Sequence, residues 1–176
     1  RFLFGDLTEA AVMLILRESG ADIRGAQERC SLHLDGYIVR GTLDLILRDS
    51  MGIDRVWDIK SASDWAFKNK WTGGYEKLLE EDPFGYIMQG FLYAEAMDMP
   101  FGGWLVVNKS SGEILEVPVP EWHDTDKHKY LEEAKRRVKV LNDPDAPFVK
   151  FEPEDETYRR QGQIIKTGNK ILPRVC

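Results

Sequence analysis

The sequence predicts a mixed α/β fold of the α+β kind, a central mixed β-sheet flanked by helices. Three observations carry that expectation. Two hairpin signals, at Asp35-Gly36 and Ser110-Ser111-Gly112, each separate alternating apolar runs. Segments of helical period stand before, between and after them. The resulting order, α-β-β-β-α-β-β-α, argues for a mixed sheet flanked by helices.

The first eighteen residues, through AAVMLILRES, read as a helix, with Asp6 or Thr8 as N-cap and Glu9 in the first turn, where a carboxylate suits the helix dipole. Gly20 and Gly25 mark its end and a loop. Ser31 to Leu34 and Tyr37 to Leu47 then alternate around Asp35-Gly36, and a turn over Asp49 to Gly52 leads to a third strand, Arg55 to Lys60. Residues 61–81 read as helical or irregular, and Pro83 separates them from a helix over Tyr86 to Met97. Trp104 to Val107 and Ile114 to Val117 form a second hairpin, and Thr125 to Leu141 a charged amphipathic helix starting near Asp124. The expected organisation is a single domain over 1–176, with a core over about 1–141. Residues 142–176, with Pro144, Pro147, Pro153 and Pro173, read as an irregular tail.

At 176 residues the chain is one domain's worth, since domains commonly run to roughly 100–200 residues. Its longest early apolar run, Ala10 to Leu16, is far shorter than the roughly 18 residues of a membrane span and lacks signal-peptide flanks, so no membrane partner is expected. The two cysteines, Cys30 and Cys176, have no metal-ligand spacing, which favours a reducing cytoplasm. A net charge of −6 argues against indiscriminate adhesion to nucleic acid while leaving room for a local basic groove.

The informative stretch is GTLDLILRDSMGIDRVWDIK. Asp44 interrupts an apolar strand, and Asp58 and Lys60 end the next one. A carboxylate inside an apolar strand is costly unless paired or metal-bound. Two of them on strands joined by a tight turn can meet at one end of a sheet. Hard divalent cations take oxygen ligands, so Asp44, Asp58 and the Ile59 carbonyl are candidate ligands for Mg²⁺ or Mn²⁺, one or two ions. Period-two alternation puts Asp58 and Lys60 on one face, with the ammonium placed to orient water or to meet charge developing on a phosphate. Phosphodiester hydrolysis needs those parts. Either acidic residue alone also fits an ion pair or a satisfied buried carboxylate.

After the lysine, Ser61 and Ser63 could hydrogen-bond a phosphate, and Lys68 and Lys70 add positive charge. Trp65, Phe67, Trp71 and Tyr75 could stack on unpaired bases, or some of them could be core. His33 reads as structural, and His123 and His128 are five apart, poor geometry for a shared zinc ion. The run LEEAKRRVKV is most simply a solvated helix face, although Arg136, Arg137 and Lys139 could touch phosphates.

These motifs, Gly41-x-x-Asp44, then Asp58-Ile59-Lys60, then Gln89-x-x-x-Tyr93, resemble the PD-(D/E)xK nuclease superfamily over roughly residues 1–107. The likeness is to the branch with RecB-like, lambda-exonuclease-like and CRISPR-adaptation nucleases. It implies a restriction-endonuclease-like core and a Mg²⁺- or Mn²⁺-dependent deoxyribonuclease. It further implies an exonuclease of recombination, repair or phage replication, acting on DNA with a free end, in a host cytoplasm if phage-encoded. A homo-oligomer or a recombination partner protein would suit such an enzyme. Gln89 and Tyr93, one helical turn apart, would place DNA or the lysine, and Glu9 would join Asp44, Asp58 and Ile59 at the metal. The chain departs from the pattern in having Asp58 where Glu is commoner. It also has two cysteines where some relatives use four for an iron–sulfur cluster, so it cannot hold such a cluster by itself; a natural chain continuing past Cys176 would be expected to carry more. The competing expectations are a non-catalytic DNA-binding module that keeps the nuclease fold, and a purely structural or protein-interaction domain.

Overall fold

A computed structural model describes residues 2–82, 84–145, 153–160 and 163–171. Two compact units divide the chain, residues 1–139 and 140–176. In the first, helix α1 (Phe2–Glu18) precedes three strands, β1 (Ile23–Leu34), β2 (Tyr37–Arg48) and β3 (Asp54–Ala62). A short helix α2 (Asp64–Ala66), a π-helical turn over Phe67–Trp71, α3 (Gly74–Glu80) and α4 (Tyr86–Met97) follow. Then come β4 (Phe101–Asn108), β5 (Ile114–Pro118) and α5 (Asp124–Leu141), which ends at the unit boundary.

The strands form one five-stranded mixed sheet in the order β1-β2-β3-β4-β5. Only β3 and β4 are parallel, and their connection carries the helices α2 to α4, as a parallel pairing demands. The β1–β2 turn is tight because Asp35 and Gly36 both take positive φ, 47° and 87°. That conformation is the hairpin turn whose twist matches the strands, and Asp-Gly favours it.

Each sheet face is covered. On one side α1 lays Val12, Met13 and Leu16 over Leu45, Trp57, Ile59 and Leu105. On the other, Phe91 and Ala94 of α4 and Phe67 and Trp71 of the π-turn pack with Val56, Trp104 and Val106. Leu43 belongs to the second cluster and Leu45 to the first, so β2 breaks period-two alternation at Asp44. Among the described residues no helix is long and apolar enough to cross a membrane.

Three expectations are corrected. Helix α1 starts at Phe2, so Asp6, Thr8 and Glu9 lie in its second and third turns and none caps it. Thr8 is buried, and burial of the apolar face outweighs its weak helix propensity. Strand β1 begins at Ile23, and Gly25 pairs with Ile46 instead of lying in a loop. The long second strand offers a ladder that satisfies this backbone, whatever its local pattern. The tail carries a hairpin of its own in the second unit, β6 (Glu154–Arg160) with β7 (Gln163–Ile171), Tyr158 opposite Ile165. Its polar strands hide the alternation, and Asp155 ties them by ion pairs to Lys166 and Lys170. Pro147, Pro173 and Cys176 lie outside the described residues.

Candidate active site

The first-unit sheet forks where the two aspartates stand. The β2–β3 ladder runs from Arg48–Asp54 to Leu45–Trp57 and stops. Beyond that point β2 stays with β1, and β3 runs on beside β4 to Ala62–Asn108. Asp44 and Asp58 are the next residues on the parting strands. With no β2 backbone acceptor in reach, the Ile59 N–H donates to Asp44 Oδ2 at 2.7 Å.

Asp58 is 2% exposed. Lys60 Nζ donates to its Oδ1 at 3.0 Å and stands 2.7 Å from its Oδ2. The second contact is a charge contact outside hydrogen-bond geometry, so Oδ2 is buried without an aligned donor. The same ammonium donates to Gln89 Oε1 at 2.9 Å, and Gln89 Nε2 donates to the Tyr93 hydroxyl at 3.2 Å. The Tyr86 ring centroid is 5.5 Å from Nζ. Gly41 exists to admit Tyr93, since a Cβ there would meet Tyr93 Cε1 at 2.8 Å. The structure thus brings Asp44, Asp58, Lys60, Gln89 and Tyr93 together, with Gly41 as the reason the last one fits.

The electrostatics follow from burial. Asp58 is pushed up to about 7, first by burial; Lys60 opposes the rise, while the charges of Asp44 and Glu9 add to it. Burial raises Asp44 too, against the Ile59 N–H and the charge of Lys60. Glu9 rises by burial and by the nearby charges of Asp44 and Asp6, opposed by its bond from Gln27. It lines a small cleft of about 180 Å³ with Thr8, Ile59, Lys60 and Ser61.

Gln27 is the residue the sequence did not signal. It stands between the pairs Ala26–Leu45 and Glu28–Leu43, hence beside Asp44, at φ 53°. Its Nε2 donates to Glu9 Oε2 at 2.7 Å, and a side-chain hydrogen bond from it also lowers Asp44. Reading β1 from Ile23 would have put this polar side chain opposite the aspartate.

The expected DNA contacts divide. Ser61 reaches the cleft beside Lys60, and Trp65 is 65% exposed. Ser63 spends its oxygen capping α2 through the Ala66 N–H. Lys68 pairs with Asp64, and Lys70 lies 5.9 Å from the Phe84 ring centroid. Phe67 and Trp71 are core and take no base. Tyr75 packs against that core and accepts from Trp122 Nε1. Arg136 and Arg137 pair with Glu133. His33, His123 and His128 are exposed.

Among the described residues no three of His, Cys, Asp and Glu are grouped so as to hold a metal ion. Two aspartates nevertheless fit a hard divalent cation. Asp58 Oδ2 lacks an aligned donor, and a neighbouring positive charge would relieve two carboxylates that burial pushes towards neutrality. Mg²⁺ commonly uses one or two carboxylates and completes its shell with water and phosphate.

No family model and no curated protein matches the chain. The solved structure of SSO0001 aligns with 80% of this chain at 16% identity and a TM-score of 0.49, and the chain spans 61% of that protein's length.

Proposed function

We propose that this chain is a Mg²⁺- or Mn²⁺-dependent deoxyribonuclease of the PD-(D/E)xK type, an exonuclease serving DNA recombination or repair. The observation that carries the reading is the fully buried Asp58, ion-paired to Lys60 and next to Asp44 at the fork of the sheet. A structural domain has no use for a carboxylate at that depth with a second, half-buried one beside it.

Asp44 and Asp58 would hold the cation, which when bound supplies Lewis acidity at the phosphate and eases ionisation of water. The rest is the work of the chain's own side chains. Gln89 Oε1 fixes Lys60 Nζ at the carboxylates, and Tyr93 fixes Gln89 in turn. Held there, the ammonium can donate to a non-bridging phosphate oxygen as negative charge builds on it. Ile59 and the buried Asp58 wall one side of the ammonium and limit how far bulk water screens that charge. Exonuclease action rests on the resemblance carried by Gln89 and Tyr93.

End-labelled linear DNA and closed circular DNA, incubated with Mg²⁺ or Mn²⁺, test the reading. Metal-dependent loss of the linear form alone, abolished in Asp58→Ala and Lys60→Ala, is expected. No cleavage of either DNA with either metal would overturn it in favour of a non-catalytic DNA-binding module.

A further inference from the structure

Beside the catalytic lysine a groove of about 400 Å³ opens between α4 and the β1–β2 hairpin, lined among others by Arg40, Phe84, Met88, Gln89, Tyr93 and Arg137. Its floor is the Gln89–Tyr93 pair that holds Lys60, so groove and hydrolytic centre share a wall. At its mouth Phe84 is 72% exposed. A large aromatic ring so placed contributes nothing to the core. It is 5.6 Å from Tyr86, whose ring lies beneath Lys60 Nζ, and Lys70 stands over its own ring.

The charge of the groove is set against that of the chain. The protein carries −6 overall, yet Arg29 and Arg40 crowd one shallow stretch next to the groove. Among the described residues neither has a carboxylate partner. Arg137 shares Glu133 with Arg136, which leaves net positive charge on that wall. Cations along a track and one exposed ring at its end suit a polyanion with accessible base faces. A duplex leaves base faces open only at its two ends, so Phe84 would gain far less from one than from an unpaired strand.

We propose that this groove seats an unpaired DNA strand, one base stacked on Phe84 and the backbone phosphates at Arg40 and Arg137, feeding the strand towards Lys60. The proposal rests on the nuclease reading and names the substrate form that the site accepts. Neither Phe84 nor Arg40 was singled out by sequence, because Phe84 follows Pro83 outside any periodic segment.

The test is anisotropy of a short labelled single-stranded oligodeoxynucleotide, and of the same strand annealed into blunt duplex, with the unaltered protein in EDTA, where no cleavage intervenes. Tighter binding of the single strand is expected. Phe84→Ala should weaken it by about 5- to 150-fold, the range of a lost base–aromatic stack, while Phe84→Trp retains it. Arg40→Gln should flatten the salt dependence by about 0.7 in the log–log slope. Phe84 and Arg40 are both exposed, so these substitutions leave the core untouched. Equal binding of both forms, or no change in Phe84→Ala, overturns the groove even if the protein cleaves DNA with metal. Phe84-dependent binding by a protein that never cleaves would instead leave the groove standing and remove the nuclease reading.

Discussion

Lys60 and Gln89 are joined by a 2.9 Å hydrogen bond across 29 residues of sequence. The bond ties the third strand to the fourth helix at the point where the strand leaves its antiparallel neighbour. An ammonium group beside a buried carboxylate could simply neutralise it. Here one of its donors is committed sideways, to an amide that is itself held by Tyr93. The lysine is aimed as well as paired.

Removing the aim without the charge should therefore slow cleavage more than it loosens the fold. Gln89→Leu keeps size and helix propensity but removes the amide that draws Lys60 sideways, leaving it Asp58 and the Tyr86 ring. On the nuclease reading proposed above, cleavage is expected to fall about 10- to 100-fold, the range for a lost supporting contact at a metal site. The fold should lose no more than about 1.5 kcal/mol, the net worth of a hydrogen bond. Single-turnover rates and urea midpoints measure the two. Unchanged cleavage would make the contact ornamental.

The buried carboxylate also fixes how stability responds to pH in EDTA. Asp58 titrates at about 7 in the fold, against 3.8 as its ordinary value. Below pH 4 it is neutral folded or unfolded and costs nothing. Between 4 and 7 the unfolded chain ionises while the fold does not, so stability falls as pH rises, and above 7 the full penalty stands. Asp44 and Glu9, raised in the same direction, steepen the fall. Asp58→Asn should melt higher than the unaltered protein at pH 8, by up to about 4 kcal/mol, and match it near pH 4. Equal melting of the two proteins at pH 8 would mean that the carboxylate is not penalised.

Much of this centre was legible beforehand, for a definite reason. The tight turn after β2 leaves one register for β3, and that register brings Asp44 to Asp58. Alternation then puts Lys60 beside Asp58, and a helical turn puts Gln89 beside Tyr93. What stayed hidden depended on distant partners. The start of β1, Ile-Arg-Gly-Ala-Gln-Glu, has no strand pattern and exists because β2 is there to pair with it. With it went Gln27. The aromatic segment after Lys60 was ambiguous for a different reason. Phe67 and Trp71 turn inward through a π-helical turn while Trp65 stays out, and spacing alone cannot tell a buried ring from an exposed one.

A cation that relieves the two aspartates must stabilise the fold. At a concentration about 100 times its dissociation constant, Mg²⁺ or Mn²⁺ should add about 2.7 kcal/mol. For a chain of this size that is roughly 5–10 °C in Tm. The gain should be larger at pH 8 than at pH 5, because the cation competes with protons for both carboxyl groups. Asp44→Asn and Asp58→Asn should each lose it. Scanning calorimetry with and without metal decides this, and an identical shift in both variants would move the metal elsewhere.

Gly41 and Tyr93 make a steric prediction. A methyl group at 41 would press on Tyr93 Cε1, so Gly41→Ala should cost about 1–3 kcal/mol, the usual range for overpacking. The cost should shrink when Tyr93 is also made leucine, which removes the ring. A double-mutant cycle reads this coupling directly, and simple additivity would show that the two do not compete for space.

Gln27 offers the sharpest contrast between fold and function. Its φ of 53° is a conformation that costs a non-glycine residue about 1–3 kcal/mol. Its side chain, meanwhile, holds Glu9 at 2.7 Å and touches Asp44. Gln27→Ala keeps the strain and loses the contacts; Gln27→Gly loses both. The glycine variant should then be the more stable of the two by about 1 kcal/mol, the reverse of their usual order in a strand. Both should cleave more slowly than the unaltered protein, because each frees Glu9 and Asp44 from the side chain that spaces them. An alanine variant at least as stable as the glycine one would remove the strain from the account. Full cleavage by both would reduce Gln27 to a bend in the first strand.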